Sequence, residues 1–184
     1  LENSADPLHV ELEDPWLLEL RECITSMRNW SSPYTRNICS VIGTSLRSPR
    51  VPNHIMGPFK NEEELHDYLL SPASGHGFTS TAEYIEVLAQ ANELRKYSHR
   101  ITFAHGDFKA HNILIGDDGH LSGFLDWESA GWYPEYWDFT TAMRYGKSSW
   151  WSQVVLWIGG DKYDRELACD IALNSLTVDS YIAF

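Results

Sequence analysis

The sequence predicts an α+β fold, mainly α-helical, with one small β-hairpin at its functional centre. Three observations lead there. Apolar residues recur at helical spacing over much of the chain, two short apolar runs flank the turn Gly116 to Gly119, and acids sit at the outer ends of those runs. At 184 residues, 43% of them apolar, the chain can bury a core as one domain. It reads as a single lobe over residues 15–184, preceded by a loosely held acidic arm over residues 1–14.

Asp14-Pro15 predicts the start of the first helix: the acid can accept backbone N–H bonds at the cap, and proline suits the first helical position. Trp16, Leu17, Leu20, Ile24 and Met27 then face the core, with Glu19 and Glu22 outward. Between Ser31 and Pro58, Pro33, Pro49, Pro52 and Pro58 keep regular structure short, and Cys39 to Ile42 and Ile55 are expected as small strands. Arg47, Arg50 and His54 read as polar residues of a surface loop, with contact to a substrate as the alternative. Asn61 to Glu64 and Ser80 to Glu83 each carry a capping pattern, so a helix begins at both. Leu65, Tyr68 and Leu69 mark the inner side of the first. Tyr84, Val87, Leu88, Ala91 and Leu94 mark that of the second, which is expected to lie beneath the hairpin and brace it.

Ile101 to Glu128, ITFAHGDFKAHNILIGDDGHLSGFLDWE, contains the hairpin, with strands expected at Asn112 to Ile115 and Leu121 to Leu125. Asp107 lies in the loop entering the first strand, Asn112 begins that strand, and Asp126 ends the second. Three oxygen donors therefore converge at one mouth of the hairpin. Such a hard-oxygen set suits Mg²⁺, which completes its shell with water and phosphate oxygens. Without a cation, two carboxylates ~4 Å apart repel by about 4 kcal/mol at an effective dielectric near 20.

Beyond the hairpin, Trp127 to Trp137 is rich in aromatics. No basic groove accompanies it, so it reads as core packing and not as a base-stacking surface. Gly131 and Pro134 mark a turn before a helix expected from Glu135 to Tyr145. Two further helices, Trp150 to Ile158 and Lys162 to Phe184, are separated by Gly159-Gly160. The acids Asp161, Asp164, Glu166, Asp170 and Asp179 read as a solvated face, a substrate pocket being the alternative.

A formal net charge of -12 opposes nucleic acid and anionic membrane as partners and suits a cationic small molecule. Cys23, Cys39 and Cys169 lack the pairing or spacing of a disulfide framework or zinc site and read as buried free thiols. No leader peptide or membrane-spanning run is seen, which makes the expected location cytoplasmic. Leu1 in place of Met points to a processed or excised chain.

His105-Gly106-Asp107-Phe108-Lys109-Ala110-His111-Asn112, followed by Asp126-Trp127-Glu128, resembles the aminoglycoside phosphotransferase and choline kinase-like family, relatives of the protein kinases. The run Leu125 to Trp137, LDWESAGWYPEYW, is most similar to the branch of that family abundant in fungi. The resemblance implies the C-terminal lobe of a protein kinase-like fold. By it, Asp107 accepts or orients the proton of an attacking hydroxyl, and Lys109 neutralises the phosphoryl group in transfer. Asn112 and Asp126 hold Mg²⁺, up to two ions, on the phosphates of ATP. His105 orients the loop, Glu128 touches metal or substrate or supports the groups that do, and Asp138 braces the loop through its backbone.

The same resemblance calls for an N-terminal nucleotide lobe, with a Gly-rich loop and a strand lysine. Neither Gly43 to Arg47 nor Gly75-His76-Gly77 supplies them, so that lobe is expected to be absent from this chain. Three functions follow. One is a phosphotransferase acting on a small-molecule hydroxyl, weak or inactive without the other lobe. Another is a metal-dependent phosphoesterase or nuclease using the acids with His105, His111 and His120. The last is a non-catalytic, pseudokinase-like binding domain, whose face left by the missing lobe is covered by a partner or a second copy.

Overall fold

A computed structural model describes residues 14–51, 54–144 and 149–177. Residues 1–13 of the expected N-terminal arm, Tyr145 and Asp179 lie outside the described residues. Leu17, Leu20, Ile24 and Met27 are all buried on one stripe of α1 (Pro15–Arg28), as their spacing predicts. Asp14 does not cap this helix with its side chain, which accepts instead from Trp16 Nε1 at 3.3 Å, while Asp14 O closes the first turn with Leu17 N at 3.0 Å.

The other two caps form as read. Asn61 Oδ1 accepts from Glu64 N at 3.0 Å at the head of α2 (Glu62–Leu70), and Ser80 Oγ from Glu83 N at 3.2 Å at the head of α3 (Thr81–Asn92). Both glutamates reach back, Glu64 to Lys60 N and Glu83 to Thr79 N.

Short strands β1 (Cys39–Ser40), β2 (Leu46–Arg47) and β3 (Ile55–Met56) fill the proline-rich stretch. The sequence reading missed two central strands, β4 (Ile101–Ala104) and β7 (Gly131–Pro134). They make a sheet of order β1-β7-β4, with Trp132 facing Cys39 on one side and Phe103 on the other. Gly131 to Pro134 is therefore a buried strand and not a turn. A Cβ on Gly131 would lie 2.6 Å from Cys39 O and 2.5 Å from Leu46 Cδ2, so the glycine is there to let neighbouring strands approach. The hairpin is β5 (Ile113–Ile115) and β6 (Leu121–Phe124), paired antiparallel in a separate two-stranded sheet.

The helix beneath the hairpin is α1, not α3. It packs on β4 and β6, and its Glu19 holds the hairpin tip by accepting from Leu121 N at 2.7 Å and meeting His120 Nδ1 at 2.6 Å. α3 lies along the C-terminal helix α6 (Asp164–Thr177). Periodicity marked its inner face correctly but carries no information on what covers that face.

Between them, α4 (Trp137–Met143) starts two residues later than expected, because Glu135 N still donates to Arg100 O at 3.0 Å beside β4. α5 (Trp150–Val155) runs into a wide turn, Leu156–Gly160, with Gly159 at φ 107°. The C-terminal acids are not all solvated. Glu166 and Asp170 are buried, Asp170 in an ion pair with Arg50, itself only 4% exposed. Arg50 is thus a core residue, donating also to Thr140 and Thr141 and lying 3.8 Å over the Trp137 ring.

Candidate active site

The loop between β4 and β5 carries His105, Asp107, Lys109 and Asn112, Asp126 and Glu128 follow β6, and the shape of the loop is set by Gly106 and Asp138. Gly106 has φ +83°, and a Cβ there would lie 2.0 Å from Ser129 O, so only glycine lets the loop pack against the segment after Asp126. Asp138, in the first turn of α4, accepts from His105 N at 3.0 Å and Gly106 N at 2.9 Å, one amide on each oxygen. Burial pushes its carboxyl pKa up, while nearby Arg28 and the two amide bonds pull it back.

His105 is fully buried. Its Nε2 donates to Leu125 O at 2.7 Å, and its Nδ1 accepts from Asp107 N at 3.4 Å. With both ring nitrogens engaged by backbone, the imidazole ties the catalytic loop to the hairpin.

Asn112 is buried and donates Nδ2 to Asp107 O at 2.9 Å. Its backbone carbonyl accepts from Leu125 N at 2.8 Å, which fixes the start of β5 beside the residue preceding Asp126. Asp126 itself sits at φ 58°, ψ 61°, a left-handed conformation that aspartate tolerates better than most residues.

Asp107 and Asp126 line one cleft of about 230 Å³, together with Glu128, Ser129, Arg47, Ser48, Pro49 and His54. The Asp107 Oδ1 atom is buried, lies 2.8 Å from Lys109 Nζ, and makes no well-directed hydrogen bond. A buried carboxylate oxygen at the wall of a cleft, paired with an ammonium but lacking a well-directed hydrogen bond, keeps lone-pair capacity for a ligand's proton. The two carboxylates that line the cleft are hard oxygen donors of the kind that suit Mg²⁺, which takes few protein ligands and fills its shell from water and phosphate, whereas Asn112 is buried and is not among the residues lining that cleft.

Residues 53–163 match the model of the phosphotransferase enzyme family. This chain belongs to that family. An aminoglycoside 3'-phosphotransferase from Niallia circulans is 30% identical over 113 residues, which is 60% of this chain and 42% of that protein. Among solved structures, a thermostable mutant of aminoglycoside phosphotransferase APH(4)-Ia, in ternary complex with ADP and hygromycin B, superposes at TM-score 0.56 with 13% identity. That match covers 90% of this chain and 59% of the other. The apo form gives 0.54 with 15% identity and the same coverage. The chain has the kinase-like fold of the aminoglycoside phosphotransferases, and it spans less than two thirds of the length of these relatives.

The sequence reads Arg47 and His54 as surface-loop residues, with substrate contact as the alternative, and both line the cleft. No spacing signal could have found them, since β2 and β3 reach the site only through tertiary packing. Glu128 is half-exposed at the rim and pairs with Arg47 Nε at 3.3 Å. The three histidines considered for a phosphoesterase do not gather: His105 is in the core, His120 is on Glu19 at the hairpin tip, and His111 is exposed. Among the described residues, no three or more His, Cys, Asp or Glu side chains form a metal cage.

Proposed function

We propose that this member of the family moves the terminal phosphoryl group of ATP to a hydroxyl of a small, cationic molecule, with Mg²⁺ as cofactor. The observation that carries this reading is the buried Asp107 oxygen, short of hydrogen bonds, on the wall of a cleft it shares with Asp126. In this role Asp107 takes or orients the proton of the acceptor hydroxyl as its oxygen bonds to phosphorus and ADP leaves. Lys109, held beside Asp107, neutralises the oxygens of the group in transfer. Asn112 and Asp126 would hold Mg²⁺. When bound, the ion neutralises phosphate charge and orients the donor. His105 and Asp138 keep the loop in its working shape, and Glu128 acts at the rim. A cationic acceptor is favoured by the net charge of -12.

Taken alone, the chain is expected to transfer slowly, because positioning and electrostatic clamps come from both sides of a bound nucleotide. It contains no helix among the described residues long and apolar enough to cross a membrane. We place its action in the cytoplasm, where ATP is supplied. The test is ADP release from MgATP by the natural protein containing this chain, over a panel of hydroxylated amines. Asp107→Asn should lower the acceptor-dependent rate by ~10²–10⁴-fold. An unchanged rate would reject the reading.

A further inference from the structure

Arg47 is the cation in the cleft to which the family pattern assigns no role. Its ion pair with Glu128 joins two half-exposed side chains, 54% and 52% accessible. Pairs of that kind contribute only ~0–1 kcal/mol, so stability is a weak reason for this one. The contact runs from Nε to Glu128 Oε2 at 3.3 Å, and the half-exposed guanidinium remains accessible from the cleft. The side chain nevertheless lines the same cleft as Asp107 and Asp126.

Its backbone is held firmly. Arg47 pairs with Ile55 across β2 and β3, and its carbonyl accepts from the Tyr133 hydroxyl at 3.3 Å. The same single O–H is shared with Ser129 O, the nearer acceptor at 2.8 Å and the oxygen against which Gly106 closes. Burial pushes the Tyr133 phenol pKa up, so it stays a neutral donor. One tyrosine thereby references Arg47 to both the catalytic loop and the Asp126 segment.

We propose that Arg47 is a phosphate clamp: with Glu128 beside it, its guanidinium grips two oxygens of the phosphoryl group in transfer. The inference rests on the phosphotransferase reading above and names a residue that reading does not use. A planar guanidinium matches a pair of phosphate oxygens, which an ammonium cannot do. Charge balance also asks for it. Asp107, Asp126 and Glu128 surround the cleft, and Lys109 is already drawn to Asp107. The volume of about 230 Å³ fits a phosphoryl group and the carbon bearing the acceptor hydroxyl, being smaller than the ~300–1,000 Å³ of whole-ligand pockets. Glu128 is then a positioning residue for Arg47.

The test compares the natural protein with Arg47→Gln, Arg47→Lys and Glu128→Gln, with Asp107→Asn as control. Phosphorus NMR titration of inorganic phosphate in the presence of Mg²⁺ reads the grip directly. Arg47→Gln should weaken binding by ~10-fold or more, with Arg47→Lys and Glu128→Gln in between. Asp107→Asn should bind phosphate as well as the parent or better. In transfer assays, Arg47→Gln should lower kcat by ~10²–10³-fold and leave the acceptor KM within ~2-fold. Phosphate binding that is unchanged in Arg47→Gln overturns the proposal, as does a raised acceptor KM at unchanged kcat. Should Asp107→Asn keep full transfer activity, the phosphotransferase reading fails, and the phosphate titration still decides whether Arg47 grips phosphate. Coincident thermal unfolding of the variants excludes misfolding.

Discussion

At the scale of single residues, the catalytic loop depends on one missing Cβ. Gly106 combines φ +83° with a backbone oxygen where a side chain would begin. Gly106→Ala should cost about 2–4 kcal/mol, adding backbone strain to overpacking, as read by denaturant unfolding. The same variant should lose transfer activity even at temperatures where it stays folded, because Asp107 is the next residue. Asp126, also left-handed at φ 58°, shows strain accepted where a carboxylate must face a cleft. Asp107 adds a third such case, its buried oxygen lacking good hydrogen bonds in a chain whose other polar groups are mostly satisfied.

Among elements, the coupling that matters runs from α4 to the loop after β4. Asp138 carries two amides on two oxygens, so its replacement by an amide side chain leaves one N–H facing an NH₂ group. Asp138→Asn should therefore destabilise the protein by ~1–3 kcal/mol. It should lower kcat more than it changes KM, since it touches no substrate and acts through the position of Asp107. A stability loss with unchanged kcat would show that the loop keeps its shape without the brace. The hairpin has its own support in Glu19 of α1, whose carboxyl pKa is held low by hydrogen bonds from His120 and Leu121.

Over the whole molecule, buried charge joins elements that are far apart in the chain. Arg50 links the segment after β2 to α4 and α6, and His99 stands between Glu62 of α2 and Glu166 of α6, at 2.7 and 3.1 Å. Burial lowers the His99 pKa, but the two carboxylates outweigh it and the net shift is upward. His66, bonded to the Tyr136 hydroxyl at 3.3 Å, is pushed down to about 4 by burial. The signs are opposite. His99 contributes stability that is complete below its unfolded pKa of ~6.5 and is lost as pH rises through its higher folded value. His66 costs nothing above ~6.5, and between there and about 4 the unfolded chain takes up a proton that the fold refuses, a loss approaching about 3 kcal/mol. Unfolding free energy measured against pH should thus fall on both sides of pH ~6.5 through these two groups. His99→Gln should flatten the alkaline side, and His66→Leu the acid side. Parallel curves for wild type and both variants would remove this account.

Much of the fold and part of the site were legible because their causes are local. Helix caps act over three residues, the α1 stripe over one helix, and the hairpin turn within Gly116 to Gly119, so the sequence alone determined these together with the loop from His105 to Asn112. The partners of those elements were not legible. Gly131 and Pro134 carry local turn signals, but the sheet around them makes a buried strand. Arg50 reads as a loop residue until Asp170, 120 positions away, arrives beside it. Arg47 reaches the cleft because β2 and Tyr133 carry it there. Local sequence sets which face of an element is apolar and which backbone groups are capped. Only the tertiary structure decides what covers that face and which distant charge is desolvated beside another, because those energies depend on contacts the chain makes after it has closed.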